Sequence, residues 1–314
     1  MKSFAFIVNI STVKQAKDFW PLLRIAPDFL IGSFLKKLSP FKARHIPKIQ
    51  SMQGKVIHGY IIASPADKLI AAGRIAEQLG VTIIGLDRMD IGNLKIPVTT
   101  GNFLNAWSVV EGVYRMAKIK KLNLKNSTLA IIGATGPIGS ICARKLSDYV
   151  PKIIIVGKDG AELERLKEKI LSLNPVEVIM EEDAHTAVKD ADILIDTGDL
   201  SEPAFEIEEL KSNAIVCDIS ASHRLFDKPN VRQDITVIRG GLIKMPYPVN
   251  LGINTGLPKG IINAPLAETM LLAFRERFVS YSFGDDINLD KLEEIADLSV
   301  QHGFEVWVPE APLM

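Results

Sequence analysis

The stretch that decides the fold is Thr128-Leu-Ala-Ile-Ile-Gly-Ala-Thr-Gly-Pro-Ile-Gly-Ser140. Its apolar first part, Thr128–Ile132, predicts a buried strand, and Pro137 suits the first turn of a helix. A second apolar strand is predicted at Lys152–Val156. This order of strand, glycine-rich turn, helix and strand is typical of a Rossmann dinucleotide-binding unit, although the glycines follow GxxGxxG rather than the commoner GxGxxG.

Each glycine of the turn has its own predicted role. Gly133 permits the tight turn out of the strand, Gly136 lets the backbone approach a pyrophosphate, and Gly139 lets the helix pack closely on the sheet. The free N–H groups at the start of the helix favour the same pyrophosphate. The predicted pyrophosphate loop is Gly133, Ala134, Thr135, Gly136, Pro137, Ile138 and Gly139. The alternative is a strand–turn–helix that binds no ligand.

The end of the second strand, Ile155-Val-Gly-Lys-Asp159, indicates the type of nicotinamide cofactor. An acidic residue there would bind the ribose hydroxyls of NAD, but Gly157 occupies that position. Asp159 is better explained as the N-cap of the next helix. Lys158 is then free to pair with a 2′-phosphate, so NADP(H) is favoured over NAD(H). An ordinary solvated lysine is the competing interpretation.

Two other segments are predicted to contact the cofactor. Asp196, Thr197 and Gly198 follow the strand Asp192–Ile195, and ligands bind outside the carboxyl ends of parallel strands. Gly240 and Gly241 end another strand, where the missing side chains would allow close approach of a nicotinamide. A plain turn explains either segment equally well.

Outside these segments the pattern predicts an α/β fold. Strands and helices alternate from Ser3, a long helix is expected at Asn102–Lys120, and a doubly wound Rossmann sheet of about six strands follows. Helices at Leu266–Phe278 and Leu289–His302 close the chain. We expect an N-terminal α/β substrate domain at residues 1–101 and a Rossmann domain at 102–264, with helices in 265–314 packing back on the first domain.

Composition excludes several classes of protein. The 314 residues include 37 Lys plus Arg and 37 Asp plus Glu, so no charge excess favours nucleic acid or an anionic membrane as partner. The apolar stretch Phe19–Leu35 is interrupted by Arg24 and Asp28, and it is shorter than a membrane span. Two cysteines cannot form a disulfide framework, which fits a reducing cytoplasm. No HExxH, HxxxH or CxxC spacing occurs, so no metal site is predicted.

The chain resembles the cyanobacterial long-chain acyl-[acyl-carrier-protein] reductases and related predicted dehydrogenases. The resemblance covers most of the chain from about Gly54 onward. It rests on Gly54-Lys-Val-Ile-His-Gly59, Thr99-Thr-Gly-Asn102, the glycine-rich turn, Gly240-Gly241, Ala267-Glu268 with Met270-Leu-Leu272, and Ser299-Val-Gln-His-Gly-Phe304. It implies that NADPH reduces a fatty acyl thioester to an aldehyde after a cysteine has taken the acyl group, with an acyl-carrier protein as partner.

The sequence departs from that family at the nucleophile. The family's cysteine stands two positions before the Ala-Glu-x-Met-Leu-Leu run, and this chain has Pro265 there. Cys142 lies within the predicted Rossmann helix and Cys217 within an apolar strand, so both are expected to be core residues. A covalent route through cysteine is therefore not predicted.

Four residues are candidates for catalysis without a covalent intermediate. His58 is expected at or near the end of an N-terminal strand, where it could transfer a proton. Thr100 and Asn102 could bind substrate, or Thr100 could cap the long helix. Glu268 could relay protons, or it could be an acid in the first turn that complements the helix dipole. A backbone-paired His58 is an equal alternative.

The leading hypothesis is an NADP(H)-dependent oxidoreductase acting on a small keto, hydroxy or amino acid in a cleft between two α/β domains. Its layout is like that of shikimate dehydrogenases, which is an analogy of fold only. One alternative is an acyl thioester reductase, and another is a nonenzymatic NADP(H)-binding sensor. Dinucleotide enzymes are often dimers or tetramers, so a homo-oligomer is possible, but the sequence does not specify the oligomeric state.

Overall fold

The computed structural model describes residues 2–10, 12–19, 21–31, 43–86, 94–198, 204–220, 225, 232–253, 255–276, 278–282 and 288–308. The chain divides into two compact units. The first comprises Met1–Leu104, Ile243–Asp286 and Glu294–Glu305, and the second comprises Asn105–Leu242, Ile287–Glu293 and Val306–Met314.

The first unit is built on a five-stranded sheet. Its strands are β1 (Ser3–Asn9), β2 (Arg44–Gln50), β3 (Val56–Ser64), β4 (Ile83–Leu86) and β5 (Val98–Thr99). They lie in the order β2-β3-β1-β4-β5, and only β2 runs antiparallel to its neighbour. From β1 the chain passes through the edge strand β2 to β3 on one side and then crosses to β4 on the other. The topological switch point of this sheet therefore lies between β1 and β4.

Strand β2 was not predicted from the sequence. Pro47 interrupts its pattern, and the pairing with β3 shifts register between Ile46 and Ile49. Proline cannot donate to the hydrogen-bond ladder, and an edge strand with an irregularity tolerates it. The sequence predicts one irregular helical region near the N-terminus. There the structure has α1 (Val13–Phe19) and a short 3₁₀ helix at Pro21–Ile25. Residues 32–42, which include the end of the apolar stretch Phe19–Leu35, lie outside the described part.

Helix α2 (Leu69–Gln78) covers one face of the first sheet. Leu69, Ala72 and Ala76 of this helix are buried against Ala5 and Ile7 of β1, in a core that also takes in Ile62, Ile84 and Val98. The long helix α3 (Asn102–Ile119) follows β5.

The second unit is a Rossmann sheet of six parallel strands. The strands are β6 (Thr128–Ile132), β7 (Lys152–Val156), β8 (Glu177–Glu181), β9 (Ile193–Asp196), β10 (Ile215–Asp218) and β11 (Thr236–Arg239). Their order is β11-β10-β9-β6-β7-β8, which is the 3-2-1-4-5-6 order of the dinucleotide-binding fold read from the other edge. The connecting helices are α4 (Pro137–Leu146), α5 (Gly160–Leu171) and α6 (Ala184–Lys189).

Three short strands and two helices complete the described chain. The strands β12 (Leu242–Lys244), β13 (Ile261–Asn263) and β14 (Glu305–Val306) pair in the order β13-β12-β14, and the helices are α7 (Ala264–Arg275) and α8 (Leu289–His302). The predicted fold class, a doubly wound Rossmann sheet with an N-terminal α/β part and C-terminal helices, is confirmed. Among the helices that the structure describes, none is long and apolar enough to cross a membrane.

Candidate functional site

The glycine-rich turn after β6 has no room for side chains at two of its three glycines. Gly133 has φ +71°, and a Cβ there would lie 2.6 Å from the hydroxyl of Thr197. A Cβ on Gly139 would lie 2.5 Å from the carbonyl oxygen of Gly133 and 2.9 Å from the Cα of Ala134. Gly133 therefore makes the turn, and Gly139 lets α4 pack on the chain that enters it, as the spacing predicts.

The start of α4 offers open backbone donors. Gly136 is the extended N-cap residue, Pro137 stands in the first turn, and no side chain of the described residues caps this helix. Gly136 N–H is used within the turn, at 3.0 Å from Gly133 O. The N–H groups of Ile138 and Gly139 belong to the first turn, which has no intrahelical acceptor. A Cβ on Gly136 would meet only Gly133 O, at 3.3 Å, so its other side is open for an anion such as a pyrophosphate.

The predicted Asp196–Gly198 segment lies beside this turn. Strands β6 and β9 are neighbours, and their carboxyl ends mark the switch point of the second sheet. Thr197 donates its backbone N–H to Ile132 O at 3.1 Å and its hydroxyl to Ile132 O at 2.8 Å, with Gly133 O at 3.1 Å. Gly198 N–H donates to the Asp196 carboxylate at 2.9 Å. The segment therefore buttresses the glycine-rich turn.

Lys158 is exposed at the carboxyl end of β7, and no described residue forms an ion pair with it. Asp159 caps α5 through hydrogen bonds from Ala161 N (2.9 Å) and Glu162 N (3.1 Å), so its carboxylate is already engaged. A Cβ on Gly157 would lie 3.4 Å from the methyl group of Thr135, which places this position against the glycine-rich turn. Lys158, the cationic residue that follows the strand end where the ribose is expected, thus has no ion-pair partner among the described residues.

Gly240 and Gly241 have a structural explanation that requires no cofactor. A Cβ on Gly240 would lie 3.0 Å from Val109 of α3, and one on Gly241 would lie 2.8 Å from the side-chain oxygen of Asn105. Gly241 N–H donates to the Ser108 hydroxyl at 2.8 Å. The two glycines let α3 approach the end of β11. Their missing side chains thus allow the close approach of a helix, whereas the sequence predicted the close approach of a nicotinamide.

A second polar cluster lies in the first unit, at the carboxyl end of β5. The Glu268 side chain of α7 accepts hydrogen bonds from the Thr99 hydroxyl and from Leu104 N, the latter at 2.9 Å. The Thr100 hydroxyl donates to Ser282 O, and the Asn102 amide donates to the Thr100 hydroxyl at 3.0 Å. The structure thus brings together three of the four catalytic candidates, Thr100, Asn102 and Glu268.

Of the two alternatives for Glu268, the first-turn acid that complements the helix dipole depended on the side chain not being buried. It is fully buried, and it binds the start of a different helix, α3. Burial raises the pKa of its carboxyl group above the ordinary value, while hydrogen bonds from Thr99, Ser282, Leu104 and Gly101 oppose that shift. The hydrogen bonds that its carboxyl group accepts all come from groups within the fold. Glu268 therefore anchors the Thr99–Asn102 turn and acts as a positioning residue.

Pro265 is packed on the same turn. Gly101 has φ +76°, and a Cβ there would lie 2.3 Å from the Cα of Pro265. Pro265 is buried in the first turn of α7. The position at which the resemblance to the acyl-carrier-protein reductases implies a cysteine therefore faces the Thr-Thr-Gly-Asn turn, and here it presents the unreactive ring of Pro265.

The structure separates His58 from this cluster. His58 is the third residue of β3, so the strand end near which it lies is the amino end. Thr99 is level with Ile61 through the register of β5, β4, β1 and β3. Three strand spacings and three residue rises put His58 roughly 17 Å from Thr99. Its ring instead contacts His45 and Tyr60, and burial and His45 lower its pKa.

Neither cysteine replaces the missing nucleophile. Cys142 and Cys217 are both fully buried, as predicted. Burial raises the pKa of both thiols well above the ordinary range, so the thiolate form is suppressed. No cluster of three or more His, Cys, Asp or Glu suited to a metal ion occurs in the part of the chain that the structure describes.

Solved structures similar to this chain include nicotinamide-dependent dehydrogenases. Shikimate 5-dehydrogenase from Listeria monocytogenes, in complex with shikimate and NAD, covers 94% of this chain and 96% of its own, with 12% identity and a TM-score of 0.41. The Δ1-pyrroline-2-carboxylate reductase of Thermococcus litoralis, in complex with NADH and L-proline, covers 38% of this chain and 37% of its own, with 19% identity and a TM-score of 0.32.

No family model matches this chain, but curated proteins do. A long-chain acyl-[acyl-carrier-protein] reductase from Synechococcus elongatus is 25% identical over 96% of this chain and 98% of its own length. The aminotransferase PigE of a Serratia species is 24% identical over 87% of this chain, which spans only 35% of that protein. The resemblance read from the sequence is confirmed, and a match to a reductase over nearly all of both chains supports the prediction that this protein is an oxidoreductase.

Proposed function

We propose that this protein is an NADP(H)-dependent oxidoreductase that moves a hydride to or from a small keto, hydroxy or amino acid without a covalent intermediate. The observation that carries the proposal is the Gly133–Gly139 turn. The turn lies at the switch point of a six-stranded Rossmann sheet. Gly133 and Gly139 have no room for a side chain, and Gly136 between them is open on one side at the start of α4.

The residues present fit a nicotinamide dinucleotide. The N–H groups of Ile138 and Gly139 would hold the pyrophosphate, and the unpaired Lys158 would hold a 2′-phosphate. When bound, the cofactor supplies or accepts the hydride. Asp196, Thr197 and Gly198 keep the turn in the shape that this binding requires.

The absence of a reactive thiol supports the noncovalent route. Pro265 has no nucleophilic atom, and burial keeps Cys142 and Cys217 protonated. The side chain left to orient a polar substrate at the carboxyl end of β5 is that of Asn102. Its amide nitrogen donates hydrogen bonds to the Thr100 hydroxyl and to Ser282 O. Its side-chain oxygen therefore remains to accept a hydrogen bond from substrate. Glu268 fixes the turn that carries Asn102.

The test is a substrate panel followed by NADPH absorbance at neutral pH, with NADH in parallel. The panel comprises glycerate, malate, quinate, alanine and proline with NADP⁺, their oxidised counterparts with NADPH (ammonium being added with pyruvate), and octanoyl-CoA. We expect turnover of a hydroxy or amino acid and a preference for NADP(H). Tight binding of NADPH with no oxidation across the panel would instead favour a cofactor-binding sensor.

Acyl thioester reduction is the second candidate, and the similarity to the Synechococcus reductase favours it. Such an enzyme would take an acyl-carrier protein as partner. Aldehyde formed from octanoyl-CoA or from an acylated carrier protein, with NADPH consumed in equal amount, would overturn the hydroxy-acid proposal. Retention of that activity in a Cys142→Ala, Cys217→Ala double variant would show that no cysteine takes part.

A further inference from the structure

The switch point of the first sheet carries an unpaired buried polar atom. Asn9 is the last residue of β1, and its amide oxygen is buried without a hydrogen-bond partner among the described residues. The chain leaves β1 toward β2 and β3 on one side and leaves β4 toward β5 on the other, so a crevice is expected between the carboxyl ends of β1 and β4, beside Asn9. In doubly wound sheets such a crevice is where ligands bind.

Ser64 lies next to Asn9 at the same edge. The two residues are direct register partners at the carboxyl ends of β1 and β3, and Ile10 N donates to Ser64 O at 2.9 Å. Ser64 is fully buried, and its hydroxyl donates to Pro65 O at 3.0 Å, which leaves the oxygen lone pairs to accept.

Strand alternation puts both side chains on one face of the sheet. Ala5 and Ile7 of β1 and Ile62 of β3 point into the core under α2, so Asn9 and Ser64, spaced evenly from them, point to the same side. The two acceptors are therefore directed together at the end of the strands that leads toward the start of α2.

We propose that Asn9 and Ser64 form a substrate subsite that accepts hydrogen bonds from a hydroxyl or ammonium group of the substrate. The subsite rests on the proposed function and narrows its substrate to a small hydroxylated or amino acid. An alkyl chain placed here would leave the Asn9 oxygen buried and unpaired, which costs free energy. A site built to bind a polar hydrogen discriminates strongly against a ligand that lacks one.

The experiment compares Asn9→Leu, which removes the acceptor at similar volume, with Asn9→Asp, which keeps it. Ligand-observed NMR measures the binding of quinate, malate, glycerate and serine to the full chain, and of hexanoate as an apolar reference. We expect Asn9→Leu to weaken the best polar ligand roughly 10-fold or more, as loss of one hydrogen bond predicts. Asn9→Asp should stay within about 3-fold of wild type, since its oxygens still accept. Ser64→Ala should weaken the same ligand.

Stability supplies a readout that a purely structural asparagine would not give. Removing an unpaired buried polar atom should leave the ligand-free Asn9→Leu protein as stable as wild type or raise its melting temperature by about 2–4 °C. NADPH affinity should be unchanged, because Asn9 and the glycine-rich turn belong to different units.

The outcomes separate the two proposals. Equal binding of the polar ligands by wild type and Asn9→Leu, or a clear loss of stability in that variant, overturns the subsite. Failure of every polar ligand to bind, or binding of hexanoate in preference to them, overturns the substrate class. Binding that depends on Asn9 but never leads to reduction of NADP⁺ supports the subsite and contradicts the proposed oxidoreductase.

Discussion

Pro265 packs directly on Gly101, so closely that a Cβ on the glycine would lie 2.3 Å from the Cα of the proline. The contact joins α7 to the Thr99–Asn102 turn, which Glu268 of the same helix also holds. One helix thus fixes the turn by a steric contact and by a buried carboxyl group. Both supports of the turn therefore come from a single packed element.

Gly101→Ala should destabilise the protein by about 3 kcal/mol, because it adds a backbone clash to the strain of φ +76°. Urea unfolding followed by circular dichroism measures the change. The matched control is Gly54→Ala, which has φ +77° but nothing within 4 Å of the added methyl group. The control should cost only about 1 kcal/mol. Equal losses in the two variants would show that Pro265 does not restrict the turn.

Gly136→Ala and Gly139→Ala should separate cofactor binding from folding. The methyl group at 136 would meet only Gly133 O, at 3.3 Å, a tight contact that a shift of a few tenths of an ångström relieves, and it would occupy the open side of the turn. NADPH affinity should therefore fall at least about 10-fold, with a smaller loss of melting temperature than in Gly139→Ala. The methyl group at 139 would collide with backbone atoms, so that variant should lose stability. NADPH fluorescence and thermal melts provide the measurements.

Gly160→Ala is the control for both variants, since a methyl group there meets nothing within 4 Å and the residue opens α5. It should bind NADPH like the wild type. Unchanged NADPH affinity in Gly136→Ala would contradict the proposed pyrophosphate position.

Lys158→Glu should weaken NADPH binding by about 10-fold or more and leave NADH binding nearly unchanged, because only NADPH carries a 2′-phosphate. Lys169→Glu, an exposed lysine in the last turn of α5, controls for net charge. Fluorescence titrations with each cofactor at fixed ionic strength measure the affinities. A parallel loss for NADPH and NADH, or an equal loss in the control, would remove the argument for NADP(H).

Glu268 should make the stability of the protein depend on pH. Burial raises its pKa in the folded state, so the folded protein holds this proton more tightly than the unfolded chain, whose glutamates titrate near about 4.3. The stabilisation is fully present below the unfolded pKa and is lost as pH rises through the folded pKa. Urea unfolding of wild type and Glu268→Gln across pH 4–8 should therefore show the wild type losing stability relative to the variant. A relative gain with rising pH would mean that the hydrogen bonds outweigh burial.

Native cysteines should be unreactive. Incubation of the wild type with octanoyl-CoA without NADPH should give no acyl adduct in intact-mass spectra, since Cys142 and Cys217 are fully buried and protonated. Dithionitrobenzoate should label both thiols only after unfolding in urea. An adduct on the folded protein would restore the covalent route.

Local patterns were enough to predict the Rossmann part of the fold. The strand Thr128–Ile132 and the helix beginning at Pro137 are where the sequence placed them, because an apolar run, a glycine turn and a first-turn proline act over neighbouring residues. The strands β2, β5, β12, β13 and β14 were missed. Strand β2 is irregular, the other four are only two to three residues long, and all five exist through pairing with distant partners.

Non-local contacts explain what the sequence could not show about the sites. Nothing near Glu268 in sequence indicates that its carboxyl group binds the start of α3, and nothing near Asn9 marks it as a buried acceptor. His58 stood in a distinctive motif, but the strand register puts it far from Thr99. The direction of a strand decides which of its ends can meet a ligand, and a single strand pattern does not specify the partner strands that set that direction.

The proline at 265 also limits how this chain could change its chemistry. A proline codon becomes a cysteine codon only through more than one nucleotide change, and the single-step intermediates at the relevant positions encode serine or arginine. Arginine would bring an unpaired charge into a buried site against Gly101, which folded proteins rarely tolerate. Serine would fit and would carry an oxygen nucleophile. A cysteine gained at this position by single nucleotide changes is therefore expected to be preceded by serine, so that a hydroxyl would stand there before a thiol.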